Sequence, residues 1–207
     1  ERGVRNPSLL TVQKVAKAIN IPFCVGGGIQ TLEDIRALLK AGADKISIGS
    51  AAIQNPDLIR QAAEGFGSQC VVISLDAKRF PEGEDHYPRL QETWRLTTRG
   101  GRDLSDIDAV AFAQEMERCG AGELLVNSLD RDGTQQGYDL PLLRAITSRV
   151  RIPVIASSGA GSKKDVLDAF TVARCEAALV ASLVHDGTLT IPDLKKYLDQ
   201  NNIRVRN

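Results

Sequence analysis

Ile21-Pro22-Phe23-Cys24-Val25-Gly26-Gly27-Gly28 and Ile152-Pro153-Val154-Ile155-Ala156-Ser157-Ser158-Gly159 are two versions of one segment. Each opens on Ile-Pro, runs through a short apolar strand and ends in small residues closed by glycine. Six residues beyond, Asp34-Ile35 matches Asp165-Val166, and with one inserted residue the stretch 44–50 aligns with 176–182, both ending in serine. A two-strand unit is therefore repeated along the chain, as expected of a parallel βα fold built from two halves.

Outward from these segments, short β-branched runs alternate with amphipathic stretches, the pattern of βα units around a parallel sheet. The alternation predicts strands at 23–26, 45–48, 71–75, 123–126, 154–156 and 177–180. It predicts helices at 8–19, 32–41, 56–64, 107–118, 140–150, 163–172 and 191–200. Val71–Leu75 is continuously apolar, as for a strand buried on both faces. The stretch 78–106 reads as a hairpin or loop excursion over a barrel mouth, with a β-rich run at 92–98 flanked by Pro81-Glu82-Gly83-Glu84 and Thr97-Thr98-Arg99-Gly100-Gly101. An open doubly wound sheet has the same alternation. A TIM-type (βα)8 barrel fits better, because Gly28, Ser50, Asp76, Asp130, Asp132, Ser157 and Ser182 all fall at or just past strand C-termini. Six strands do not close such a barrel. The expectation is a single partial domain, residues 1–207, an N-terminally truncated portion with six βα units that would be strands three to eight.

Bulk properties narrow the function. With 26 Lys plus Arg against 26 Asp plus Glu the net charge is zero, which argues against a nucleic-acid binder. Apolar residues make up 43% and charged residues 25%, ordinary for a globular protein. No apolar run reaches the roughly 18 residues that span a bilayer, and no signal peptide opens the sequence. Cys24, Cys70, Cys119 and Cys175 form no C-x-x-C pair and read as reduced thiols of a cytoplasmic protein. His86 and His185 lack partners at metal-ligand spacing, so no metal is expected, and with neither a Walker loop nor a dinucleotide fingerprint no cofactor is expected.

The repeat suggests anion binding. A glycine after a strand lets backbone approach a phosphate closely, and the N–H groups of the loop and the next helix turn point at its oxygens. The serine after the neighbouring strand adds a hydroxyl. Gly28 with Ser50, and Ser157 and Gly159 with Ser182, are the two candidate grips, suited to a ligand phosphorylated at both ends. Gly-rich turns also serve merely to close strands; the paired occurrence favours phosphate. Asp76 ends an apolar strand, where a carboxylate works as general acid or base. An Asp that caps its loop or pairs with Lys78 or Arg79 would look the same. Asp132-Gly133-Thr134 has the composition of a tight turn, and Asp139 that of a helix N-cap.

Val25-Gly26-Gly27-Gly28-Ile29, Gly42-Ala43-Asp44-Lys45, Asp76-Ala77-Lys78-Arg79, Gly120-Ala121-Gly122-Glu123, Asp130-Arg131-Asp132-Gly133-Thr134, Gly137-Tyr138-Asp139 and 155–161 together resemble the cyclase subunit of imidazole glycerol phosphate synthase, from histidine biosynthesis. The sister isomerase shares the repeat, but Asp76-Ala77-Lys78 and the Gly-Ala-Gly-Glu and Gly-Tyr-Asp runs favour the cyclase. The resemblance implies a lyase that combines ammonia from a glutaminase partner with a bis-phosphorylated phosphoribulosyl aminoimidazole carboxamide ribonucleotide. Its products are imidazole glycerol phosphate and an aminoimidazole carboxamide ribotide. It implies Asp76 as the general acid, Gly28 and Ser50 at one phosphate, and Gly133, Gly159, Ala181 and Ser182 at the other. Asn127 and Asp132 would lie beside the ligand, Lys45 and Glu123 in the ring that gates ammonia, and Asp44 at the partner face. The family's first catalytic aspartate has no counterpart in this sequence, which implies little turnover by this chain alone. The alternatives are a truncated, non-catalytic phosphate-binding barrel, or a paralogue delivering ammonia to another sugar phosphate.

Overall fold

The computed structural model describes residues 7–80, 93–98 and 100–206. They fall into two compact units. The first comprises Glu1–Ser74 with Ala113–Leu124, and the second Leu75–Phe112 with Leu125–Asn207.

In the first unit α1 (Leu9–Ala18) precedes β1 (Cys24–Gly26), α2 (Leu32–Lys40), β2 (Lys45–Ile48), α3 (Ser50–Gln54) and α4 (Pro56–Phe66). The opening of β3 (Val71–Phe80), the end of α5 (Ala109–Arg118) and the start of β6 (Glu123–Ser128) complete it. The strands are hydrogen-bonded in the order β1-β2-β3-β6. The β1 and β2 pairings are parallel, with Val25 beside Ile46 and Ser47 beside Val72. Ile35, Ile46, Ile59, Val71 and Ile73 are fully buried, so the apolar stripes of α2 and α4 and β-branched residues of β2 and β3 form the core.

The second unit holds the rest of β3 and β6, with β4 (Thr93–Thr98), β5 (Asp103–Asp108), α6 (Leu140–Thr147), β7 (Val154–Ser157), α7 (Lys163–Thr171), β8 (Ala177–Ala178), α8 (Ser182–His185) and α9 (Ile191–Gln200). Its order is β3-β6-β7-β8, with β7 and β8 parallel. On β3 the antiparallel strand β4 is added, Arg79 opposite Trp94, and β5 pairs in turn with β4.

The six parallel strands of the sequence pattern are present, and the parallel α/β class holds. Among the described residues β4 and β5 bring the strand count to eight, β4 lying within the β-rich run expected at 92–98. β3 runs on through Asp76 to Phe80 instead of ending at Leu75. β5 was hidden by its composition: Asp103, Asp106 and Asp108 have low strand propensity, yet Asp103–Asp108 alternates half-buried and exposed as an edge strand does. The helix expected from Ile107 starts at Ala109, since Asp108 takes the Ala111 N–H on its side chain and so acts as its cap. The turn Gly100-Gly101 is as expected, with φ of 68° and 85°. Residues 81–92 and Arg99, with the expected loop chemistry and His86, lie outside the described residues.

Candidate functional site

The repeat seen in the sequence is also a repeat of backbone conformation. Gly27 and Gly28 have φ of 100° and 69°; their equivalents Ser158 and Gly159 have 73° and 98°. Ser158 therefore adopts a left-handed conformation that favours glycine. Before each serine the backbone is again unusual: Gly49 has φ −107° and ψ −104°, and Ala181 has −125° and −76°. Each serine then opens a short helix. Asp34 accepts the Gln30 and Thr31 N–H groups while Thr31 caps α2. Asp165 accepts the Gly161 N–H while Ser162 caps α7. Asp44 accepts the Phe23 N–H at 2.9 Å, and Glu176 accepts the equivalent Val154 N–H at 2.9 Å. The conserved spacing between the two halves is thus a spacing of backbone supports, and Asp44, which is exposed, has this local role.

In the second unit, Asp132, Gly133, Ser157, Gly159, Ala181 and Ser182 line one pocket. All six are residues singled out in the sequence. The loops after β6 and β7 interlock through backbone. Gly137 donates its N–H to the Gly159 carbonyl at 2.8 Å. A Cβ on Gly161 would lie 1.9 Å from the Gln135 carbonyl oxygen, and one on Gly159 would lie 2.4 Å from that of Gly137. Tyr138, buried, donates its hydroxyl to the Leu179 carbonyl at the exit of β8, and burial pushes its phenol pKa up. These contacts assemble three strand-end loops into a small-residue cup whose chemistry suits an anion.

Asp76 lies half-buried in the same unit. The Asn127 amide donates to its Oδ1 at 2.8 Å, and the Thr97 hydroxyl donates to its backbone carbonyl at 3.1 Å. Arg79 reaches the carboxylate of Asp139 at 3.4 Å. Asp130, also at a strand exit, accepts the Arg79 N–H at 2.7 Å and so ties the loop after β6 to the long arm of β3. The sequence placed Asp130 at a strand end, but only the structure shows this tie.

In the first unit Gly28 and Ser50 stand at the exits of β1 and β2, and Lys45 is ion-paired with Glu123, both half-buried. Among the described residues no group of three His, Cys, Asp or Glu side chains is placed to hold a metal ion, and no helix is long and apolar enough to cross a membrane.

Parallel βα units with small-residue loops at the strand ends define a parallel α/β protein. The chain belongs to the histidine biosynthesis protein family, whose model matches residues 3–190. It is 52% identical over 202 residues to the imidazole glycerol phosphate synthase subunit HisF of Thermosynechococcus vestitus, covering 98% of this chain and 70% of that one. It is 50% identical to the HisF subunit of Microcystis aeruginosa, covering 98% and 77%. The HisF subunit of Syntrophobacter fumaroxidans is likewise 50% identical, with 98% and 76% covered.

Proposed function

We propose that the chain is the cyclase subunit of imidazole glycerol phosphate synthase, an enzyme of histidine biosynthesis. The observation that carries this is the pairing of Asp76 with Asn127 in the unit that also holds the interlocked cup of Gly133, Gly159 and Ser182. An oriented carboxylate and a phosphate grip are the two parts that acid–base chemistry on a sugar phosphate requires.

The substrate is a bis-phosphorylated phosphoribulosyl aminoimidazole carboxamide ribonucleotide. Gly28 and Ser50 take one phosphate; Gly133, Ser157, Gly159, Ala181 and Ser182 take the other, chiefly through backbone N–H groups. Asn127 and Asp132 border the ligand. Ammonia nitrogen enters the ring that closes, with loss of water, as imidazole glycerol phosphate, and the remaining half departs as aminoimidazole carboxamide ribotide. Asp76 supplies a proton in that sequence, with its carboxylate orientation set by Asn127. Ammonia comes from a glutaminase partner, past the Lys45–Glu123 pair, with Asp44 facing that partner. In this proposal the six parallel strands belong to a TIM-type barrel, and the enzyme works in the cytoplasm without a cofactor.

The test is turnover of the bis-phosphorylated substrate by the full-length protein with ammonium salt, both products being resolved by chromatography. Formation of imidazole glycerol phosphate is expected. Phosphate binding without turnover would replace the cyclase with a phosphate-binding protein, and ammonia incorporation into a different sugar phosphate would make it a paralogue.

A further inference from the structure

Asp139 does more than cap α6. Its carboxylate is 1% exposed and is met by four donors from four elements of the second unit. On Oδ1 it accepts the Leu142 N–H at 3.1 Å and the Arg79 guanidinium at 3.4 Å. On Oδ2 it accepts the Trp94 indole N–H at 3.2 Å and the buried Ser128 hydroxyl at 3.1 Å. An N-cap needs only the first of these. The other three come from β3, β4 and β6. Those strands carry, respectively, Asp76, the Thr97 that bonds the Asp76 carbonyl, and the Asn127 that bonds the Asp76 carboxylate. Ser128 is the residue after Asn127, and Arg79, three after Asp76, also stacks over the Trp94 ring at 5.5 Å.

We infer that Asp139 is a positioning residue for Asp76, locking the three strands that set its carboxylate orientation. This rests on the proposed catalytic role of Asp76 only for its effect on rate. The effect on Asp76 itself is independent of any activity. Asp139→Asn keeps the shape and one acceptor oxygen but turns the other position into a donor that faces the Trp94 N–H and the Ser128 hydroxyl.

The experiment uses full-length protein, parent and Asp139→Asn, with folding checked by circular dichroism. Trp94 is the sole tryptophan, so its emission reports directly on the Asp139 contact. The Asp76 carboxyl is followed by carbon NMR titration, assigned through Asp76→Asn. The expected result is a shifted Trp94 emission together with an Asp76 titration curve displaced from the parent's, since a hydrogen bond to the charged form is disturbed. kcat should fall about tenfold to a hundredfold, with KM changed by less than about twofold. An altered Trp94 emission with an unmoved Asp76 titration would leave Asp139 as a cap and overturn the inference. If the parent lacks cyclase turnover, the proposed function fails, and the titration still decides the positioning role. Should Asp139→Asn not fold, Ser128→Ala and Trp94→Phe each remove one donor. An Asp76 midpoint unchanged in both would equally overturn the inference.

Discussion

Asn127 holds Asp76 by one carboxylate oxygen, its amide donating to Oδ1 over 2.8 Å. The two residues sit on neighbouring strands, β6 and β3, at the level where the Leu129 N–H bonds the Ala77 carbonyl. An amide at this place orients the carboxylate without adding charge.

Asp76→Asn is expected to lower kcat by about a hundredfold or more, within the usual contribution of a positioned acid, while KM stays near the parent value. Asn127→Ala should lower kcat less, by roughly tenfold. Steady-state kinetics with ammonium salt checks both. Near-normal turnover by Asp76→Asn would remove this residue from the chemistry.

The cup makes a structural prediction at Gly159. Its φ is 98°, and an added Cβ would meet the Gly137 carbonyl. Gly159→Ala should cost about 1–3 kcal/mol of stability through forced backbone strain and raise KM for the phosphorylated substrate. Ser158→Gly, at φ 73°, relieves a left-handed serine but frees the unfolded chain, so its stability should stay within about 1 kcal/mol of the parent. Chemical denaturation and phosphate titration calorimetry measure both; unaltered affinity in Gly159→Ala would remove this loop from the phosphate site.

The Lys45–Glu123 pair offers a test that separates chemistry from ammonia delivery. Lys45→Ala should leave turnover with added ammonium salt within about threefold of the parent while disturbing turnover that depends on glutamine, because the pair is expected to gate and not to react. Equal losses under both regimes would place Lys45 in the chemistry instead.

Cys175 gives a pH dependence of stability. Burial pushes its thiol up to about 12 from an ordinary 9.0. The folded state therefore holds a proton that the unfolded chain releases. The contribution is complete below about pH 9 and is lost as pH rises from there towards 12. Urea midpoints of the parent should fall over that window, and Cys175→Ala should fall less steeply. Identical slopes would show that other groups control alkaline unfolding.

The sequence made the parallel strands and their helices legible because each rests on local periodicity and on caps such as Thr31 with Asp34 and Ser162 with Asp165. It made the cup legible for a different reason: the repeat set Gly28 beside Gly159 and Ser50 beside Ser182 before any contact was known. What it did not show depends on long-range pairing. β5 exists because β4 offers it an edge, and its aspartates conceal it. Asp139 announces a cap, yet its bonds to Arg79, Trp94 and Ser128 span up to 60 residues of chain. No spacing rule encodes those. Likewise, Asp44 and Glu176 look like surface acids until each is seen to accept a strand N–H.

Barrel-type enzymes change chemistry by exchanging the loops at the strand ends. The space where Gly161 lacks a side chain is occupied by the carbonyl of Gln135, which belongs to a different loop. These two loops are consequently one heritable part. A graft of either one onto another scaffold would collide or leave a void, whereas a graft of both together would carry its own fit with it.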